Sequence, residues 1–301
     1  MTGISMLWHT TAMVADYSTC LEPLQRLFGA TVMHETTSVE PGVGRHGGMI
    51  WLGDNSLELG APAGEQSPVR NFVEKWGGGM HSIAVQVDDA KATAERLARH
   101  HATPQVWLDD HIFFSKPQQT AGLLLEWASR HTDDDPRWGY PLKPGIKAPL
   151  TPALQYAFVT AVVDNPPQVA ARLADLFATE VLRVSEDAAV DEIGAIVSLK
   201  DCLLLLFPMP PEGTSREVWG SHIARNRFHA QGLRVANLAD SVAKLAPHGV
   251  RPAAQIAGMT FLDPNALPIP TFLVEELLPE DPRRPEGPDL ESFPRHKATS
   301  A

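Results

Sequence analysis

The sequence predicts an α+β fold of four tandem βαβββ modules, joined as two pairs. Three observations carry this expectation. A strand that ends near an Asp and runs into a short amphipathic helix occurs four times, at Asp16, Asp89, Asp164 and Asp240. The intervals recur as well: 73 residues from Asp16 to Asp89, 76 from Asp164 to Asp240, and 148 from Asp16 to Asp164. Further strand-like runs follow each helix before the next unit begins.

Module one opens with the alternating run His9–Asp16 and continues through Leu21, Leu24, Leu27 and Phe28 at helical spacing, closed by Gly29. Gly48–Leu52 and Ser56–Leu59 supply its later strands. Ser67 suits an N-cap and Pro68 the first helical position, while Val69, Phe72, Val73 and Trp76 form one apolar face before Gly77. That helix carries the crossover to module two, which begins at His81–Asp89, turns helical through Ala90, Ala94, Leu97 and Ala98, and ends in Ile112–Ser115 and Leu123–Trp127. Module three is Ala157–Asp164 followed by Ala170, Leu173, Ala174 and Phe177. Module four is Leu233–Asp240 followed by Val242, Leu245 and Ala246 ahead of Gly249. The stretch 131–152 is rich in Asp, Pro, Gly and Lys and has the composition of a linker. The expected division is therefore a domain over 1–130, a linker over 131–152, a second domain over 153–280 and a disordered tail over 281–301. The tail's Pro, Glu, Asp and Arg cannot offset the entropy of ordering.

Composition removes several function classes. With 25 Lys and Arg against 36 Asp and Glu, a net charge of -11 repels phosphate backbones, so nucleic acid is not an expected partner. No apolar run reaches the ~18–20 residues of a membrane span, and two cysteines are too few for a disulfide framework. No secretory signal is visible at the N-terminus, so the expected location is the cytoplasm and the expected partner a small-molecule substrate. A homodimer is compatible with the sequence.

The chemistry-bearing residues occupy equivalent repeat positions. His9 and His81 open the first strands of modules one and two, and Glu58 and Glu126 lie in their last strands. Alternation puts His81 on one side of its strand with Ile83, Val85 and Val87, and Glu58 interrupts an apolar run. A carboxylate in such a run needs a partner, because an unpaired buried charge is very costly. One divalent transition metal (Co²⁺, Ni²⁺, Mn²⁺, Zn²⁺ or Fe²⁺) satisfies all four and leaves one or two coordination positions open.

Two longer segments carry a resemblance. Ser67-Pro68-Val69 through Gly77-Gly78-Gly79-Met80-His81-Ser82-Ile83-Ala84-Val85-Gln86-Val87-Asp88-Asp89 is one. Ser115-Lys116-Pro117-Gln118-Gln119-Thr120-Ala121-Gly122-Leu123-Leu124-Leu125-Glu126 is the other. Together with the module pattern they resemble the vicinal oxygen chelate superfamily of glyoxalases, bleomycin-resistance proteins and dioxygenases, and within it methylmalonyl-CoA epimerases and glyoxalase-like domains. The resemblance covers about residues 5–130. It implies two domains of that superfamily, each a pair of modules on a cupped mixed sheet, with His9, Glu58, His81 and Glu126 as metal ligands. It also implies that Glu40, in Glu40-Pro41-Gly42-Val43, is the carboxylate that moves a proton α to a carbonyl, with Glu126 beside it among the catalytic groups and His46 as a competitor.

The second half keeps the module pattern without the ligands. By the 148-residue offset Ala157 replaces His9, and aligning Pro208 with Pro62 puts Leu204 at the place of Glu58. Glu275 persists, with His229 or Gln231 near the fourth strand start. The function expected is a metal-dependent epimerase, isomerase or lyase acting on a small oxygenated metabolite chelated by the metal. An extradiol Fe(II) dioxygenase is one alternative, disfavoured by Glu58 as a fourth protein ligand. A non-catalytic small-molecule binding protein with Trp8, Trp51, Trp76, Trp107 and Trp127 as walls is the other.

Overall fold

Alternation sorts the residues of each strand onto two faces, and in the computed structural model those faces meet different neighbours. The structure describes residues 3–40, 44–132, 134–145, 147–210, 219 and 226–284. The first half is one eight-stranded curled sheet built from β1 (Met6–Met13), β2 (Thr31–Ser38), β3 (Arg45–Leu52), β4 (Asn55–Pro62), β5 (Gly79–Gln86), β6 (Pro104–Asp109), β7 (Ile112–Ser115) and β8 (Leu125–Ala128), in the order β2-β3-β4-β1-β5-β8-β7-β6. Helices α1 (Tyr17–Phe28), α2 (Pro68–Trp76) and α3 (Ala90–Arg99) complete it. In the second half β9 (Gln155–Val163), β10 (Val181–Val184), β11 (Ala195–Ser198), β12 (Leu203–Pro208), β13 (Arg227–Arg234), β14 (Pro252–Ile256), β15 (Met259–Leu262) and β16 (Thr271–Val274) repeat that order, with α4 (Pro166–Phe177) and α5 (Leu238–Leu245). Each half joins its two modules at a central antiparallel pair, β1 with β5 and β9 with β13, flanked by parallel pairs. The four βαβββ units and the paired arrangement expected from the intervals are present.

Helix starts refine the repeat. Asp16 and Asp89 are N-caps whose carboxylates accept from Thr19 N–H and Ala92 N–H, satisfying donors that the first turn leaves without an intrahelical partner. In the second half the caps are Asn165 and Asn237, so the matching residues are not Asp164 and Asp240. Asp240 lies inside the first turn of α5, and the fourth leading strand is Arg227–Arg234, upstream of the expected Leu233–Asp240. Asn and Asp cap equally well, so the repeat conserves the cap and not its charge.

The helix-facing sides of both sheets share one apolar core that runs from half to half; Trp127 and Phe177, for example, meet with ring centroids 5.6 Å apart. A reciprocal interlock adds to it. Asp201, in the β11–β12 turn, accepts Leu7 N–H at 2.8 Å, and Asp54, in the β3–β4 turn, accepts Tyr156 N–H at 2.8 Å. Arg137 donates to the carbonyl of Leu7 and pairs with Asp135 at 2.7 Å; Arg283 donates to Tyr156 and Ala157 carbonyls and pairs with Asp281 at 2.7 Å. Asp135-Pro136-Arg137 and Asp281-Pro282-Arg283 are thus repeated clamps, one on each leading strand. Both carboxylates are fully buried.

Two compositional expectations change accordingly. Inside the segment read as linker, Asp135 caps a packed 3₁₀ turn, Pro136–Trp138, held where Arg137 donates to the Leu7 and Trp8 carbonyls at the irregular register of β1. Residues 281–284, expected in the disordered tail, are ordered by the second clamp; the rest of that tail lies outside the described residues. Among the described residues no helix is long and apolar enough to cross a membrane.

Candidate functional site

The inner faces of the two curled sheets differ, and the register shows how. His9 pairs with Ser56 of β4 and Ala84 of β5, Thr11 with Glu58 and Ser82, and Ala84 with Glu126 of β8. Period two therefore projects His9, Glu58 and Glu126, from three of the four adjacent strands β4, β1, β5 and β8, onto the inner face of the first sheet. Their ligand atoms lie within 4.8 Å of one another, a His/Glu/Glu group that could hold a metal ion. His9 Nε2 stands 3.7 Å from Glu58 Oε2 and 3.7 Å from Glu126 Oε2. That is too far for a hydrogen bond and suited to atoms sharing a cation at roughly 2.0–2.2 Å from each. His9 is 2% exposed and neither ring nitrogen has a partner, so the buried imidazole lacks the contacts that a buried polar group requires. The residues present fit a divalent ion.

Glu58 divides its oxygens. Oε1 pairs with Arg45, and Oε2, which accepts from Thr11 Oγ1 at 3.2 Å, faces His9. Burial pushes the Glu58 pKa up, but the charges of Arg45 and His9 and the hydrogen bonds from Thr11 and Arg45 outweigh it and hold the carboxyl below its ordinary value.

His81 does not join the three. Between Thr11↔Ser82 and Ala12↔Met80 the register slips, leaving His81 as the extra residue of a β-bulge. The bulge breaks the alternation that would have put His81 with Ile83 and Val85 on the core side. Instead the ring packs edge-on to Phe72 at 4.8 Å, with Nδ1 3.1 Å from Ser82 Oγ, within the electrostatic reach of Glu58, Arg45 and Arg227. Burial above all, then the charge of Arg227, lowers its pKa to about 4, so the imidazole is neutral at pH 7 and free to act as a ligand or acceptor. Glu40 is exposed on the turn after β2, where its N–H bonds to Ser38 Oγ and its carbonyl accepts Gly44 N–H. That turn borders the cup through Ser38, which pairs with Arg45. Its neighbours 41–43 lie outside the described residues. His46 bonds through Nδ1 to Thr37 Oγ1 and stacks edge-on to Tyr17, a structural setting.

The second inner face is apolar. Register equates His9 with Phe158, Glu58 with Leu205 and Glu126 with Phe272, which corrects Ala157 and Leu204 by one residue each. Those side chains pack with Phe207, Trp219 and Phe261 into a core of their own, with Phe261 and Phe272 at 4.6 Å. Glu275 is not a ligand equivalent: it is exposed and accepts the N–H of Leu238 at the start of α5. His229 is the counterpart of His81, held by its Nε2 on the Trp219 carbonyl at 2.8 Å. Of the five tryptophans considered as ligand walls, Trp127 is fully buried core, Trp8 packs on His9 at 4.7 Å, and Trp107 packs on Phe113.

His229 also gives the fold a pH dependence. Burial lowers its pKa to about 4 against the Trp219 carbonyl, which raises it. The folded state then binds fewer protons than the unfolded chain between about pH 4 and 6.5, so this stabilisation is full above pH 6.5 and is lost as the pH falls toward 4. His81 acts with the same sign. The urea midpoint of metal-free protein is expected to fall between pH 7 and pH 5, and to fall less in His229→Phe; an equal fall in both proteins would refute the assignment.

No family model matches the chain. An ethylmalonyl-CoA/methylmalonyl-CoA epimerase from Cereibacter sphaeroides is 30% identical over 131 residues, 41% of this chain and 96% of the relative. The mitochondrial methylmalonyl-CoA epimerase of Dictyostelium discoideum is 28% identical over 131 residues, 41% of this chain and 78% of the relative. Among solved structures, a variant of 4-hydroxymandelate synthase from Streptomyces coelicolor superposes with a TM-score of 0.63 at 15% identity, covering 90% of this chain and 91% of that one. The last likeness concerns the fold alone. The epimerase relatives and the two-sheet architecture meet in one conclusion: this chain belongs to the vicinal oxygen chelate superfamily.

Proposed function

We propose that the protein is a divalent-metal-dependent enzyme that moves a proton α to a carbonyl, an epimerase, isomerase or lyase on a small oxygenated metabolite. The observation that carries this reading is the buried His9, Glu58 and Glu126 group with its unpartnered imidazole. These three would hold the ion, with His81 the fourth ligand once its ring turns from Phe72. The ion would polarise a carbonyl and so stabilise the charge that develops when the neighbouring proton leaves. Arg45 and Thr11 orient Glu58 and keep it ionised. Glu40, in the turn after β2, is the carboxylate proposed to take the proton, with Glu126 adjoining the reacting centre. The epimerase relatives make methylmalonyl-CoA and other 2-substituted acyl-CoAs the first substrates to try.

Metal-reconstituted protein in D₂O should place deuterium at C2 of such an acyl-CoA. Glu40→Gln should lower that exchange by about 10²–10⁴-fold at unchanged metal content, whereas a Glu40 variant with wild-type exchange would remove Glu40 from the mechanism. Exchange absent across the acyl-CoAs and α-hydroxyketones, with about one metal per chain bound, would overturn the proton-transfer reading.

One observation favours a second reading. The Arg45 ion pair occupies one oxygen of Glu58, and His9, His81 and Glu126 without Glu58 would make a two-His, one-carboxylate set of the kind used with Fe(II) and dioxygen. Substrate-dependent dioxygen uptake by the Fe(II) form, without deuterium exchange, is the result that would decide for it.

A further inference from the structure

Arg227 opens β13 in the second half, yet its guanidinium lies over two rings of the first half, 4.6 Å from the centre of Phe72 and 4.3 Å from that of Trp76. Stacking engages the face of a guanidinium and leaves its in-plane N–H donors for a ligand. Among the described residues, no carboxylate, hydroxyl or carbonyl accepts from those donors. Burial alone lowers the pKa to about 10, which leaves the group charged at neutral pH. A half-buried cation without a counter-charge is expensive to keep.

The same side chain lines a cavity of about 300 Å³ between the halves, together with Gly77–Gly79, His229 and Asn265. All three glycines have positive φ, from 73° to 105°, and a Cβ at Gly79 would meet nothing within 4 Å, so the turn leaves that side of the cavity open. His229 contributes a second unmet group. Its Nε2 faces the Trp219 carbonyl and must carry the proton, so Nδ1 is an acceptor, and Nδ1 is buried without a partner. The lining therefore holds strong planar donors and, in His229, one acceptor buried without a partner. A volume of this size suits a ligand of few atoms.

We propose that this cavity is a binding site for a small hydroxycarboxylate, whose carboxylate accepts from Arg227 and whose hydroxyl donates to His229 Nδ1. The planar fork of the guanidinium matches a carboxylate. The site uses none of the groups assigned to the metal, so it stands or falls apart from the proton-transfer reading.

Isothermal titration of EDTA-treated and metal-loaded protein with lactate, propionate, inorganic phosphate and chloride tests it. Lactate should bind in both forms and more tightly than propionate, which lacks the hydroxyl. Arg227→Met, which keeps the stem over the rings, should weaken lactate about tenfold or more. His229→Phe should bring lactate and propionate closer together. If Arg227→Met loses its native thermal transition, Arg227→Lys replaces it and should bind more weakly than wild type, because an ammonium cannot form the fork. Equal lactate affinity in wild type and the Arg227 variant overturns the site. So does an absence of lactate binding, and so does an affinity for chloride or phosphate that matches lactate, which would make Arg227 a strut between the halves or a nonselective charge.

Discussion

His9→Ala is expected to abolish stoichiometric divalent-metal binding, the stability gained from metal, and at least about 10²-fold of the deuterium exchange. His9 is central to the group: its Nε2 is 3.7 Å from an oxygen of each carboxylate, so without the imidazole the two glutamates face each other with no nitrogen ligand between them. The metal-free variant should remain folded. Removing a ring that is 2% exposed and has both nitrogens unpartnered deletes an unsatisfied polar group while creating a small cavity, and those two terms oppose each other. Wild-type protein at a metal concentration about 100 times Kd should gain about 2.7 kcal/mol, and the variant none. Elemental analysis and thermal unfolding with and without metal read the outcome independently of any substrate. A variant that retains about one metal per chain, with the same thermal gain, would show that the ion sits elsewhere.

Arg137→Met is expected to cost about 3–5 kcal/mol of stability, because it leaves Asp135 charged or protonated in a fully buried position without its partner. The Leu7 carbonyl loses its donor in the same step. Asp201 adds to the effect: burial raises its pKa to about 6, Arg137 opposes the rise, and the carboxylate becomes costlier once that charge is gone. Arg283→Met, at the equivalent clamp, should behave alike. The two halves share one core and each lends a carboxylate to the other's leading strand, so unfolding should remain a single transition in the wild type. Urea melts monitored by fluorescence and circular dichroism test both statements. A cost under about 1 kcal/mol, or two separate transitions in the wild type, would contradict the interlock.

The architecture was legible in the sequence because repeats and periodicity are local. Strand alternation and the helical spacing of Leu21, Leu24, Leu27 and Phe28 follow from backbone geometry that neighbouring residues establish among themselves. Equivalent placement in two modules likewise marked His9, Glu58 and Glu126, which the sheet brings together through ordinary register. The tripeptide Asp-Pro-Arg, present at 135–137 and 281–283, was a further local signal, and compositional reading of those segments as linker and tail passed over it. Its worth depends on carbonyls of strands far away in the chain.

What only the tertiary structure decided is where local rules are broken or where distant elements meet. A bulge of one residue turns His81 away from the face that alternation assigns to it, and bulges leave no mark in a single sequence. The one-residue difference between Ala157 and Phe158 as the counterpart of His9 comes from pairing with β12, which the 148-residue interval could not resolve. Leu203–Phe207 reads simply as a core strand, yet one side of it faces the helices and the other joins Phe158, Trp219 and Phe272 in filling the second cup. Arg227 over Phe72 and Trp76 depends on how the halves pack, since 150 or more residues separate the cation from its rings. Secondary structure and repeat positions are set by neighbours in the chain; a ligand set, a filled cup and an unpartnered cation are set by neighbours in space.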